Sequence, residues 1–338
     1  LSRAVNTALI SCRGSLGEGW GHVMRGLTIR NFLQSKGIEH RLILRLDDSL
    51  SEAMRRIDSG PHDIVPFDAP IGKEEAFEFC FLDQYTYDRD TIAAYQALAR
   101  RLIVFDELAK IDFTDTFRER DTIVRAQLLA RPSPASPGPC RILCGLSYFV
   151  INRTYPDNQK KPEREETDIL VLLGGGAGHG LTYQWLADAF DERLAGRSVS
   201  LRFILGANAP DDIMSALQTR LPWAHIEAYV RDPVSAMRSS KIGIMSGGYS
   251  KYEAAYAGLP SVLLAVQDHQ VEIAESFCKA GGGVYAGDGR DAAAVIAAVD
   301  QAITMLDSPD LAKTLSSRAG ALIDGRGLDR VFAASAAP

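Results

Sequence analysis

The sequence predicts an α/β fold made of two halves, each a parallel sheet covered by helices on both faces. Three observations predict it. Strand-like and helix-like segments alternate through nearly the whole chain, which is the rhythm of parallel sheets. Each half opens with an apolar strand that runs into a glycine-rich turn. The 338 residues, 46% hydrophobic and 24% charged, are enough for two ordinary cores.

The first half starts with an apolar strand at Val5–Ser11. It leads to Gly19-Trp20-Gly21-His22-Val23-Met24-Arg25, where glycines supply a turn and a helix follows over Val23–Ser35. Strands come next at Arg41–Leu46, Phe79–Leu82 and Leu102–Phe105, with helices at Ser49–Asp58 and Arg89–Arg100. The run Arg131–Pro139 holds four prolines, which remove donors and fix φ, so it reads as a surface loop. Cys140 and Cys144 have no second pair or histidine cluster and read as part of a buried strand, not a zinc site. The polar stretch 152–167 reads as a linker between domains at 1–151 and 168–338. In the second half, strands are expected at Asp168–Leu173, Ser200–Leu205, His225–Tyr229, Ile242–Met245 and Ser261–Ala265. Helices fit at Thr182–Leu194, Asp211–Arg220, Pro233–Ser239, Ser250–Ala257, Ala292–Leu306 and Leu311–Ile323.

Charge and cysteine content exclude some classes. The formal net charge is −6, and Lys and Arg are scattered, which argues against a nucleic-acid partner. The dense run from Lys160 to Glu166 mixes both signs and reads as solvated. Five cysteines at irregular positions make no disulfide framework, so the chain reads as a reduced, cytoplasmic protein. No apolar run approaches the roughly 18 residues of a membrane span.

His22 is the candidate catalytic residue. It falls at the start of a helix, where free N–H groups and the helix dipole disfavour an imidazolium, and a neutral imidazole is what a general base needs. The competing reading is a structural histidine in a glycine turn. Arg25, one turn on, is a candidate for the phosphates; the competing reading is a surface or salt-bridged arginine. Asp83 and Asp106, each near a strand's carboxyl end, are both candidates for orienting His22, and the sequence does not choose between them.

The second half offers a nucleotide site. Gly174-Gly175-Gly176-Ala177-Gly178 follows a strand and suits an anion, but it has neither the G-x-G-x-x-G spacing nor a P-loop. Ser246-Gly247-Gly248 ends a later strand, and a helix begins near Ser250. The loop amides are expected on a diphosphate and Glu253 on ribose hydroxyls. The competing reading is a capping box, with Ser250 at the cap and Glu253 three residues on. Gln267-Asp268-His269-Gln270 lies at the end of the next strand, where ligands of open α/β sheets bind.

Together these motifs resemble the UDP-sugar hydrolases of pseudaminic acid biosynthesis, a group related to the N-acetylglucosaminyltransferase that makes lipid II. The match is most specific at Gly19 to Arg25, close to G-x-G-H-V-M-R. It continues through Leu82-Asp83-Gln84-Tyr85, Val104 to Glu107, Leu172 to Gly175, Ser246 to Gly248, Tyr252-Glu253, Gly258-Leu259-Pro260 and Gln270. The resemblance implies two Rossmann-like domains facing a cleft, the glycosyltransferase B type, and a UDP-sugar or related nucleotide sugar as substrate. It implies His22 as the base, with Gly21, Arg25, Asp83, Tyr85, His269 and Gln270 near the substrate. Gly174, Gly175, Ser246, Gly247, Gly248, Ser250 and Glu253 would hold the nucleotide. No metal and no cofactor are implied. The chain departs from the family's pattern at His269-Gln270, where the family has Asn-Gln, and at Ser250-Lys251, where it often has Ser-Thr. It also lacks the Asp that usually follows the second-half Gly-Gly.

Three activities fit these residues. The first is inverting hydrolysis of a nucleotide sugar, with His22 taking a proton from water. The second is an inverting glycosyl transfer in which His22 activates an acceptor hydroxyl. The third, a non-catalytic binder, is disfavoured by the presence of His22. The sequence leaves the sugar, the base, any acceptor and the oligomeric state open.

Overall fold

The computed structural model describes residues 7–15, 17, 20–58, 60–70, 76–127, 138–152, 167–174, 179–206 and 209–337. Most of the expected linker and proline-rich loop, Gly19 and Gly175 to Gly178 lie outside them. The chain divides into two compact units, Leu1–Thr154 with Gly325–Pro338, and Tyr155–Asp324.

The first unit contains seven strands: β1 (Thr7–Gly14), β2 (Glu39–Leu46), β3 (Asp63–Pro66), β4 (Phe77–Asp83), β5 (Ala99–Phe105), β6 (Thr122–Arg125) and β7 (Arg141–Cys144). Helices α1 (Gly21–Ser35), α2 (Asp48–Ile57) and α3 (Arg89–Leu98) connect them. The sheet is parallel in the order β3-β2-β1-β4-β5-β6-β7. The order reverses between β1 and β4, so the carboxyl ends of these two strands lie side by side, with Cys12 opposite Asp83. That is where open α/β sheets bind ligands. The four-residue strands β3 and β6 are too short to show a period, so no pattern in the sequence marks them.

The second unit repeats the plan with β8 (Thr167–Leu172), α4 (Gly180–Arg193), β9 (Leu201–Ile204), α5 (Asp211–Arg220), β10 (His225–Glu227), α6 (Pro233–Arg238) and β11 (Ser240–Ser246). It continues with α7 (Ser250–Ala257), β12 (Ser261–Ala265), α8 (Asp268–Lys279), β13 (Val284–Asp288), α9 (Ala292–Leu306) and α10 (Pro309–Gly320). Its parallel sheet runs β10-β9-β8-β11-β12-β13, and the order reverses between β8 and β11. Ile169, Val171, Phe203, Ile244 and Val262 from the strands pack against Phe190 of α4 and Val295 and Ala298 of α9 in one core.

The last helix, α11 (Gly327–Ala336), belongs to the first unit, which corrects the expected extent of the second half, 168–338. Phe332 packs against Phe32 and Phe79, with ring centroids 5.6 and 5.1 Å away. Arg101 of β5 donates to the carbonyls of Ser335 at 2.6 Å and Ala337 at 2.7 Å, closing the helix end on the first sheet. A helical pattern shows which face is apolar, not which sheet the face covers.

Among the described residues no helix is long and apolar enough to cross a membrane, and no cluster of three or more His, Cys, Asp or Glu side chains could hold a metal.

Candidate functional site

In the first unit the site forms at the reversal of strand order. Helix α1 comes within van der Waals range of β1, and a Cβ at Gly26 would collide with the Cys12 sulfur, so glycine allows the close approach. The helix begins after Trp20 with no side-chain cap and no acidic residue in its first turn. His22 is therefore its second residue, placed beside the end of β4. Its Nδ1 lies 2.7 Å from Asp83 Oδ1, and its side chain is 15% exposed while Asp83 is fully buried. Asp83 as a carboxylate can only accept, so Nδ1 carries a proton, and in a neutral imidazole the lone pair then lies on Nε2. Nε2 makes no hydrogen bond among the described residues. A neutral imidazole held in this way can take up a proton at Nε2.

Asp83 also accepts from Arg25 Nε at 2.6 Å through its other oxygen. Burial pushes its carboxyl upward, but the charges and hydrogen bonds of Arg25 and His22 outweigh that and hold it below the ordinary value. Asp83 thus stays an anion without touching solvent. Its expected place at the substrate is corrected: it lies behind His22, closed off from solvent.

Arg25 is corrected as well. It is 1% exposed, pairs with Asp83 and Glu107, and lies 5.0 Å from the Phe105 ring centroid. A guanidinium held this way faces inward and does not present itself to a phosphate. Of the two aspartates that the sequence leaves open, His22 bonds to Asp83. Asp106 accepts from the backbone N–H of Lys110 at 2.8 Å and of Ile111 at 3.2 Å, and pairs with buried Arg125 at 2.8 Å. It braces the loop after β5.

Tyr85 stands edge-on to His22, with ring centroids 6.5 Å apart and planes at 80°. Lys110 Nζ lies 3.4 Å from the centre of the Tyr85 ring, an addition to the site that no sequence pattern marks.

In the second unit, Ser246 ends β11 next to the end of β8. A Cβ on Gly174, whose φ is +97°, would lie 3.6 Å from Ser246 Oγ, so Gly174 adjoins the turn after β11. Ser246 Oγ is 3.0 Å from Ser250 Oγ and accepts weakly from Gly248 N at 3.3 Å. Gly247 N–H donates to Leu264 O at 2.8 Å, which extends the β11–β12 ladder and removes that amide from the expected diphosphate donors. Gln270 is buried against the turn; its Oε1 accepts from Val266 N at 3.0 Å. His269 occupies the first turn of α8, beside the end of β12. The capping box does not form: Tyr249 is the cap of α7, with no side-chain cap bond, and Ser250 is already helical. Glu253 lies in the first turn of α7.

Two further residues gain a place here that the sequence does not give them. His179, at the start of α4, is buried, and burial lowers its pKa below the ordinary histidine value. Lys251 is 2% exposed and donates to the carbonyls of Gly247 at 2.5 Å and Gly248 at 2.9 Å.

No family model matches the chain. The spore coat polysaccharide biosynthesis protein SpsG of Bacillus subtilis (strain 168) is 26% identical over 200 residues. The match covers 58% of this chain and only 58% of that relative's length. Among solved structures, Acinetobacter baumannii MurG matches with a TM-score of 0.65 over 97% of this chain and 98% of that one, at 12% identity. The glycotransferase of kitacinnamycin matches at 0.58 over 97% of both chains, with 15% identity. The fold is that of the B-type glycosyltransferases. A Staphylococcus aureus MnaA–UDP co-structure shares it at a TM-score of 0.56, over 97% of this chain and 95% of that one at 12% identity. Likeness at these identities establishes architecture, while activity rests on the site.

Proposed function

We propose that this chain hydrolyses a nucleotide sugar, with His22 as the general base. Water gives a proton to His22 Nε2 as its oxygen bonds to the anomeric carbon. The bond from that carbon to the diphosphate oxygen breaks, and the nucleoside diphosphate leaves with the electron pair from the opposite face. Asp83 holds the imidazole tautomer and balances the imidazolium that forms. The Ser246–Gly248 turn and Glu253 hold the nucleotide, and Tyr85 and His269 contact the sugar.

The His22–Asp83 pair carries this reading: a partly exposed imidazole backed at 2.7 Å by a buried carboxylate. The resemblance of the Gly19–Arg25 stretch to the UDP-sugar hydrolases supports water as acceptor. The shared fold of a UDP-bound structure and the partial match to a polysaccharide biosynthesis protein support the substrate class. The second reading, transfer to an acceptor hydroxyl, is favoured by the fold shared with the kitacinnamycin glycotransferase. It needs the same base and the same leaving group.

The deciding experiment incubates the protein with a panel of UDP-sugars in ¹⁸O-water, with no acceptor. Free sugar labelled at its anomeric hydroxyl, with UDP in equal amount, is expected. UDP-sugars that bind but stay intact until an acceptor is added establish transfer, and the absence of any nucleotide-sugar binding overturns both.

A further inference from the structure

Arg13 and Arg45 are register partners on the parallel strands β1 and β2, each one residue before its strand ends. Consecutive side chains of a strand point to opposite faces. Cys12 and Gly14 meet α1, so Arg13 lies on the other face, where Ser11 Oγ is 2.6 Å from Tyr95 Oη of α3. Arg45 shares that face, and its Nε donates to Tyr95 Oη at 3.2 Å. The His22–Asp83 pair forms on the α1 side, so the two arginines are a separate cluster. Both reach the turn Phe67–Pro70 that follows β3. Arg45, 7% exposed, donates to the carbonyl of Ala69 and, at 3.4 Å, to that of Pro70. Arg13 lies over the Phe67 ring, with Cζ 3.7 Å from the centroid.

Like charges on neighbouring strands repel, and a charge taken out of water ordinarily has a counter-ion. Among the described residues no carboxylate pairs with either arginine, and Asp68, in the turn itself, is exposed and makes no ion pair. The two side chains differ in what they keep. Arg45 spends its donors on the tyrosine and the turn. Arg13 makes no hydrogen bond among the described residues: its Nε is sealed from solvent without an acceptor, while both Nη groups stay open. Contact with a ring face uses none of a guanidinium's donors, so the Nη end remains a free fork.

We infer that Arg13, supported by the charge of Arg45, binds an oxyanion, the carboxylate or phosphate group of a small molecule, through its two Nη groups. A guanidinium fork matches two oxygens of either group. The sealed Nε closes the side-on approach, so the anion meets the group end-on. The Phe67 ring holds the plane of the fork, and Arg45, one strand away, raises the local potential without touching the ligand. The cluster stands at the carboxyl edge of the first sheet, the edge at which open α/β folds take their ligands. This site does not depend on the nucleotide-sugar reading, and the bound anion supplies the counter-charge that the two arginines lack.

The test labels the full chain with ¹⁵N-arginine and follows the Nε–Hε signals by NMR. Sodium phosphate, sodium acetate and sodium chloride are titrated in separate arms at one pH and one ionic strength. Arg13→Lys and Arg45→Lys assign the two signals by their loss. The expected result is a saturable shift of the Arg13 and Arg45 signals with phosphate or acetate, at roughly tenfold or more lower concentration than with chloride, the size of a hydrogen bond to a charged group. The arm that saturates first names the group. In Arg13→Gln the shift of the remaining Arg45 signal by that ion should need at least tenfold more of it. Equal shifts in all three arms, or shifts that never saturate, mark an ordinary surface guanidinium and overturn the inference. Undiminished binding in Arg13→Gln overturns it too. The wild-type titration decides on its own where a variant fails to fold.

Discussion

His22 Nδ1 and Asp83 Oδ1 lie 2.7 Å apart because parallel pairing of β1 with β4 places the end of β4 beside the turn into α1. The same carboxylate anchors Arg25 at 2.6 Å, so one buried anion orients the imidazole and is itself held by a buried cation. Catalysis, on the proposed reading, and stability therefore share a group, and the first predictions separate the two.

His22→Ala removes the base and leaves the buried Asp83–Arg25 pair intact. Turnover of the preferred UDP-sugar should fall by roughly 10²–10⁴-fold. UDP affinity should stay within about twofold of wild type, given a tenfold change for each ~1.4 kcal/mol. A variant that keeps more than a tenth of the rate rules out His22 as the base.

Asp83→Asn should cost both rate and stability. The amide no longer selects the tautomer with Nε2 open, and Arg25 loses its buried counter-charge. Breaking a buried pair on one side costs about 3–5 kcal/mol, so a marked drop in the urea midpoint is expected. The rate effect should be at least tenfold in wild type and vanish on a His22→Ala background. A double-mutant cycle measures that coupling. Equal rate losses on both backgrounds would show that Asp83 works only through the fold.

The first strand, its glycine turn and the helix after it are legible in the sequence because an apolar run, glycines and a helical pattern lie next to one another in the chain. Side-chain direction is not. Arg25 reads equally well as a phosphate ligand or as a surface or salt-bridged arginine until the β1–β4 register brings Asp83 under it. Asp83 and Asp106 both end strands, and only the three-dimensional pairing of Asp106 with Arg125 distinguishes them. Lys251 stands out in the sequence only as a departure from the resembled family's pattern, since nothing local says that its ammonium turns back to the glycine carbonyls. The docking of α11 on the first unit depends on Phe32 and Phe79, which lie in the opposite half of the chain. Hydrophobic periodicity is read within a short window, so it carries no trace of a contact between such distant segments.

Stability should fall on acidification in two steps. Burial lowers the His179 pKa, so below the ordinary histidine value of about 6.5 the unfolded chain takes up the proton first. The unfolded state then binds more protons than the native state, and stability is lost as pH falls. Asp83, held below the ordinary carboxylate value by Arg25 and His22 against the effect of burial, adds a second loss below about pH 4 by the same sign. Urea midpoints between about pH 7.5 and 5 should decline, and His179→Gln should flatten that decline. An unchanged slope in the variant would remove His179 as its source.

Glu253→Gln should weaken UDP binding about tenfold, in line with the ~1.5–3 kcal/mol of a hydrogen bond to a charged group, with the melting temperature unchanged. The capping box would have predicted the reverse, but Tyr249 is the cap and Ser250 bonds to Ser246 instead. Titration with UDP alongside a melting curve decides it, and unchanged affinity removes the ribose assignment.

His269 carries the last prediction, because the resembled family has an amide there. It lies in the first turn of α8, at the end of β12, one residue before Gln270, whose side chain is locked by Val266 N at 3.0 Å. The lock leaves His269 as the variable member of the pair. An imidazole is bulkier than a carboxamide and presents a ring edge where the amide offers both a donor and an acceptor. A site that pairs with a sugar hydroxyl or amide rejects analogues lacking it far more strongly than an apolar pocket rejects a missing methylene. His269→Asn should therefore re-rank a panel of UDP-sugars by kcat/KM, with at least one pair changing its ratio about tenfold, while UDP itself binds as before. Identical relative rates across the panel would show that His269 does not reach the sugar.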